Sequence, residues 1–179
     1  PMLDFTANIT LASDYVFRGI SQTNEGPAIQ GGFDINHRSG MYVGVWASNT
    51  EFNSGSVNGA SMEMDFYFGF AGEFANGVGW DVGVLYYWYP DTSDDNDAGR
   101  VLASQPGDYD YAEIYVKTDY QVDSPLQQAV ELGVYYSDDY FGEDGSAYYL
   151  ESRFSFLFPA VAGISGISPY FSMNYLDVS

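Results

Sequence analysis

Carboxylates that recur at alternate positions are the first chemistry this sequence offers. Asp14, Asp34, Glu63, Asp65, Glu73, Asp81, Glu113, Asp119, Glu131 and Glu151 fall in stretches where every second residue is polar, and Arg18, Lys117 and Arg153 share those positions. On strands, such rows line one face. A barrel interior with surplus acid side chains favours cations over anions, because rings of charge set pore selectivity. The competing expectation is that these groups pair across a narrow interior and fill it, as side chains do in small barrels. Arg18 and Arg153 are expected to bridge several carboxylates, since unpaired interior charge is expensive. Pairs such as Glu63 and Asp65, about 7 Å apart on one strand face, have a spacing compatible with glycosidase acids. So many acids alternate, however, that spacing selects no pair, and the sequence reads as no enzyme.

The segment Asp91-Thr92-Ser93-Asp94-Asp95-Asn96-Asp97-Ala98-Gly99 packs oxygen ligands of the kind calcium takes. Asp91, Asp94, Asp95 and Asp97 are the candidate ligands, and solvated loop charge is the alternative. The residue order of an EF-hand is absent. Asp138, Asp139, Glu143 and Asp144 form a second, weaker cluster. His37 is the one histidine and reads as a turn residue. There is no Gly-x-Ser-x-Gly elbow and no phosphate-cradling glycine loop, so hydrolase and nucleotide readings lack support. No other cofactor is expected.

The composition bounds the rest. Among 179 residues, 25 are acidic and five basic, giving a net charge of −20, with 17 Tyr, 13 Phe and no Cys. Such a chain repels phosphate backbones, which argues against nucleic acid as a partner. Without cysteine there is no disulfide framework, thiolate metal site or thiol nucleophile. Disorder would explain the charge but not the abundance of aromatic and β-branched residues. The length suits a single domain, 1–179. The longest weakly charged apolar stretch, 154–167, is interrupted by Pro159 and Gly163 and is shorter than the ~20 residues of a spanning helix. The first residues do not read as a signal peptide, so any export signal is expected to be already removed or never present.

Elements follow from the period of two. Met62, Met64, Phe66, Phe68 and Phe70 alternate with Glu63, Asp65, Tyr67 and Gly69; Val82, Val84 and Tyr86 with Asp81, Gly83 and Leu85; Ile114 and Val116 with Glu113, Tyr115 and Lys117. The same pattern covers 5–17, 29–36, 130–137 and 148–158, and is less clear over 41–49 and 167–178. About nine strands and no helix are expected, an all-β meander. The connections 19–27, 49–60, 90–108 and 138–146 are long, whereas 37–40, 75–79 and 122–126 are short. In an up-and-down barrel this gathers the long loops at one rim, as outer-membrane barrels do. Apolar rows facing out and charges facing in invert the arrangement of a small soluble barrel. Tyr15, Tyr42, Trp46, Trp80, Tyr86, Trp88, Tyr109, Tyr136 and Tyr148 suit interfacial girdles.

The run Ser13-Asp14-Tyr15-Val16-Phe17-Arg18-Gly19-Ile20-Ser21-Gln22-Thr23, continuing through Pro27-Ala28-Ile29-Gln30-Gly31-Gly32-Phe33-Asp34, resembles the opening hairpin of the TorF-family porins of Gram-negative bacteria. Gly40-Met41-Tyr42-Val43-Gly44-Val45-Trp46 is similar to the next strand of that family, and Tyr86-Tyr87-Trp88-Tyr89-Pro90 and Tyr136-Ser137-Asp138-Asp139-Tyr140-Phe141-Gly142 to later segments. The resemblance implies an outer-membrane β-barrel porin and carries over no catalytic or binding residue. The family continues past the point where this chain stops at Ser179.

The expectation is therefore an all-β, antiparallel up-and-down transmembrane β-barrel, with nine strands visible and ten to twelve in an intact chain whose closing strands are missing. It would sit in the bacterial outer membrane against lipid and lipopolysaccharide. It would pass small solutes, cations ahead of anions, and a homo-oligomer is compatible with it. Three alternatives remain: an eight-strand barrel closed by the strand that ends at Phe158, with the rest a tail; a closed barrel whose acidic external loops bind a partner or divalent cations; and a soluble β-sandwich that binds sugars through Tyr and Trp.

Overall fold

Strict alternation lets a chain bury one side of a strand while its backbone groups pair with neighbours, and this chain does so along most of its length. The computed structural model describes residues 2–52, 60–90, 109–124, 127–142, 145–157 and 168–178. These form β1 (Leu3–Ala12), β2 (Val16–Phe17), β3 (Ile20–Ser21), β4 (Ala28–His37), β5 (Met41–Asn49) and β6 (Met62–Glu73). Then come β7 (Val78–Trp88), β8 (Tyr111–Gln121), β9 (Ala129–Ser137), β10 (Ala147–Ser155) and β11 (Tyr170–Val178). A single 3-10 turn, Tyr140–Gly142, precedes β10. Among the described residues there is no α-helix, and so none able to cross a membrane.

Nine strands make one antiparallel up-and-down sheet in the order β1-β4-β5-β6-β7-β8-β9-β10-β11, and β2 and β3 form a separate hairpin. The sheet is open: β1 and β11 are its edges and do not pair with each other. Its register matches like with like. Phe68 lies opposite both Val43 and Val84, Val84 opposite Ile114, and Val116 opposite Val134. On the other face Asp81 faces Lys117, Asp119 faces Glu131, Glu131 faces Arg153, and Tyr115, Tyr135 and Tyr149 form a continuous row.

Burial is inverted relative to a water-soluble sheet. The apolar face, with Phe66, Phe68, Val82, Val84, Ile114, Val116, Leu132 and Val134, is exposed, whereas Glu63, Asp65, Glu113, Tyr87, Tyr111, Tyr115 and Tyr149 on the polar face are buried. Soluble monomers rarely leave a continuous apolar surface of this extent uncovered. The polar-face residues are buried mostly at one end of the strands, where the connections 13–27, 50–61, 89–110 and 138–146 lie. Connections 38–40, 74–77 and 122–128 lie at the other end. That alternation of long and short stops at 156–169, a long connection at the short-turn end.

One expected strand is corrected. Alternation over 5–17 suggests an unbroken strand, but β1 ends at Ala12. Asp14 Oδ1 accepts from Ser21 Oγ at 2.7 Å and Thr23 Oγ1 at 2.9 Å, and the Tyr15 amide donates to Thr23 Oγ1 at 3.0 Å. Short polar side chains that bond to nearby groups compete with ladder bonds and turn the chain. Asp14 is therefore a loop brace rather than a member of a strand's carboxylate row.

Candidate functional site

The turned segment carries the β2–β3 hairpin onto the polar face. Arg18 and Gly19 form its two-residue tip with φ of 48° and 87°. Positive φ at both central residues gives the turn whose twist matches paired strands, and glycine adopts it freely. Arginine does not, so the tip is strained unless something holds it.

Glu113 holds it. Arg18 Nη1 and Nη2 lie 2.8 Å from Glu113 Oε1 and Oε2, with both side chains almost completely buried. Tyr87 donates to Glu113 Oε2 at 3.1 Å. The guanidinium stacks 4.0 Å from the Tyr149 ring centre and 4.7 Å from Phe17, with Tyr135 and Tyr140 at 5.4 and 5.6 Å. A two-pronged charged pair and aromatic faces are the contacts an arginine makes best. Burial alone would lower the Arg18 pKa, but the Glu113 carboxylate outweighs it and raises it overall.

Glu63, 1% exposed, is held differently. Tyr15 donates to Oε1 at 2.8 Å and Tyr89 to Oε2 at 2.9 Å. Burial, with the Glu63 charge beside them, pushes both phenols above their ordinary range, so both stay donors at working pH. Tyr15→Phe should leave a buried carboxylate oxygen without its donor and cost about 1–3 kcal/mol. A lowered thermal unfolding midpoint checks this, and an unchanged midpoint would mean that another donor takes over.

Because one hairpin and its flanking residue Tyr15 reach side chains on β5 through β10, the sheet must curl around them. At the long-loop end Tyr87, Tyr89 and Tyr111 pack with Phe17, Phe52, Tyr109, Tyr140 and Phe141 into an aromatic plug. Towards the short turns the face opens. A cavity of about 550 Å³ is lined by Arg18, Asp34, Tyr42, Asp65, Tyr67, Asp81, Tyr115, Lys117 and Glu151 among others, and a second, of about 250 Å³, reaches Asp119 and Glu131.

Most of the residues expected to share a face do so. Asp34, Asp65, Asp81, Lys117 and Glu151 meet around the larger cavity, and Lys117 Nζ lies 3.0 Å from Asp81. Arg18 arrives from the hairpin tip rather than from a strand. Among the described residues it clasps one carboxylate and Arg153 approaches only Glu131, at 3.6 Å, so neither bridges several there. Glu73 and Asp119 are exposed towards the short-turn end. The Asp91, Asp94, Asp95 and Asp97 segment lies outside the described residues, as do Glu143 and Asp144. Among the described residues no group of three or more acids or His is placed to hold a metal ion.

The tyrosines are what sequence reasoning misplaced. Trp80, Tyr86, Trp88, Tyr136 and Tyr148 lie on the apolar face, but Tyr42 and Trp46 share the polar face, while Tyr15 and Tyr109 sit in loops that pack against it. Tyr67, Tyr115 and Tyr135 join them, their hydroxyls spent on acids or on one another: Tyr67 donates to Asp34, Tyr42 bonds Asp81 and Tyr115, and Tyr135 donates to Glu151. A signal was available. Tyr42 lies opposite Gly69 and Tyr115 opposite Gly83, where a Cβ would come within 2.4–2.5 Å of the ring or its hydroxyl. Glycines in the acidic rows mark the beds in which the rings lie.

Residues 2–168 match the model of a family described as a bacterial protein of unknown function (Gcw_chp). No curated protein matches, and no solved structure does.

Proposed function

We propose, from the premise that the chain belongs to the bacterial Gcw_chp family, that this protein is a porin-like β-barrel of the Gram-negative outer membrane that passes small solutes, cations ahead of anions. The observation that carries this reading is the inverted burial: phenylalanines and valines exposed across the sheet, carboxylates and tyrosines enclosed by its curl. Hydrocarbon outside and a polar lumen inside is the environment that makes such a sheet stable. In the proposed barrel, further antiparallel strands meet the free edges of β1 and β11, to ten or twelve in all. The likeness of residues 13–34 to TorF-family porins agrees with this reading.

The lumen would carry more acid than base, since Asp34, Asp65, Asp81, Glu151 and Glu131 stand against Lys117 and Arg153 once Arg18 is spent on Glu113. Under a potassium chloride gradient in a planar bilayer, the full chain should conduct with a reversal potential shifted towards that of potassium. No conductance step, or a shift towards chloride, would remove the channel reading. The aromatic plug favours a second reading, a barrel closed at its long-loop end whose acidic loops bind a partner, lipopolysaccharide or divalent cations. Bilayers that stay silent while the protein fractionates with the outer membrane would favour that one.

A further inference from the structure

Arg18 displays how this face holds a positive charge: a carboxylate at the edge of a planar cation and aromatic rings, Tyr149 nearest and Phe17 next, around it. The neighbouring cavity of about 550 Å³ repeats those materials, with Asp34, Asp65 and Asp81 between Tyr42, Tyr67 and Tyr115. Its size suits a small organic molecule. What distinguishes it is one unclaimed carboxylate oxygen. Asp65 is 8% exposed and lines the cavity, and its enclosed Oδ1 has no hydrogen-bond partner among the described residues. The carboxylates around it are each engaged: Glu113 by Arg18 and Tyr87, Glu63 by Tyr15 and Tyr89, Asp34 by Thr6 and Tyr67, Asp81 by Tyr42 and Lys117, Glu151 by Tyr135. A buried carboxyl without a partner is costly to hold as an anion, and a cation arriving beside it offsets that cost.

We propose that this cavity binds a small organic cation with a planar, delocalised charge, a guanidinium or amidinium, with Asp65 as counter-ion and the Tyr42, Tyr67 and Tyr115 rings as walls. This rests on the cation-leaning lumen reading and names the class of solute that the lumen would retain. Weakly hydrated planar cations leave water more readily than ammonium or metal ions and gain from tyrosine faces. No cluster of acids among the described residues is arranged for a metal. Lys117, already paired with Asp81 in the cavity lining, disfavours a second positive group on the ligand.

The test titrates benzamidine into the detergent-solubilised full chain by calorimetry, with benzamide and benzoate as neutral and anionic molecules of matched size. Benzamidine should bind saturably and the other two at least tenfold more weakly. Asp65→Asn should weaken benzamidine at least tenfold while keeping the β-sheet circular dichroism of the parent. Should that variant not fold, Tyr115→Leu, which removes a wall and leaves every carboxylate, should weaken binding severalfold. Equal binding of benzamide, or undiminished benzamidine binding to a folded Asp65→Asn, would overturn the proposal. Potassium selectivity without benzamidine binding removes the site and leaves the lumen reading intact. Benzamidine binding without any conductance removes the channel and leaves the site.

Discussion

Truncating Arg18 to alanine should release the hairpin and open the long-loop half of the polar face. The guanidinium holds a strained tip in place through a pair that is nearly completely buried on both sides. Removing one member of such a pair leaves Glu113 charged and enclosed, a loss of about 3–5 kcal/mol. The contacts with Tyr149, Phe17, Tyr135 and Tyr140 go with it. The first consequence is access: chymotrypsin should cut the native protein after Tyr15 or Phe17 faster in Arg18→Ala than in the parent. The second is conductance, expected to rise severalfold in bilayers if the hairpin forms the constriction. Arg18→Lys should fall between, because an ammonium cannot span both carboxylate oxygens or stack in the same way. The double variant Arg18→Met with Glu113→Gln removes the unpaired charge and should recover much of the lost unfolding midpoint. A double variant as unstable as Arg18→Ala would mean that packing rather than charge seats the hairpin. Unchanged conductance in Arg18→Ala would place the narrowest point elsewhere.

How far the sequence alone discloses this arrangement differs by element. In β6 every second residue from Met62 to Phe70 is Met or Phe and the intervening ones include Glu63, Asp65 and Tyr67, so period and face are legible without coordinates. The strand register follows from the same rows, since a one-residue slip would bring Phe68 to the carboxylate side. The hairpin was not legible. Residues 13–17 keep the alternation of β1, and what ends the strand is a set of side-chain bonds from Ser21 and Thr23 back to Asp14, which join positions no local pattern connects. Pairing of Arg18 with Glu113 spans 95 residues and depends on how far the sheet curls. Tyrosine is ambiguous for a different reason. Its ring suits an interface and its hydroxyl suits a carboxylate, so type alone assigns neither side. Parity does: Tyr115 shares the rows of Glu113 and Lys117, whereas Tyr136 shares that of Val134.

Arginine in place of Val84 separates a membrane barrel from a water-soluble β-sandwich. Val84 lies mid-strand in β7 on the apolar face, 47% exposed, between Phe68 and Ile114. In water, a charge at an exposed position away from any special feature changes stability by within about 0.5 kcal/mol. Facing hydrocarbon near the bilayer midplane, the same substitution costs about 2–4 kcal/mol. The expected result is a marked loss of folded Val84→Arg protein in lipid vesicles, read as a lower urea midpoint and a reduced fraction running at the mobility of the unheated form on gels. Asn8→Arg, mid-strand in β1 on the polar face, should fold as the parent does, because in the proposed barrel its side chain would project towards water. Val84→Leu controls for shape and should also be silent. The contrast between faces carries the argument, because a charge tolerated at Asn8 and rejected at Val84 requires an apolar surrounding on one side only. Equal tolerance at both positions would instead mean that the phenylalanines and valines of this sheet meet water or another protein surface.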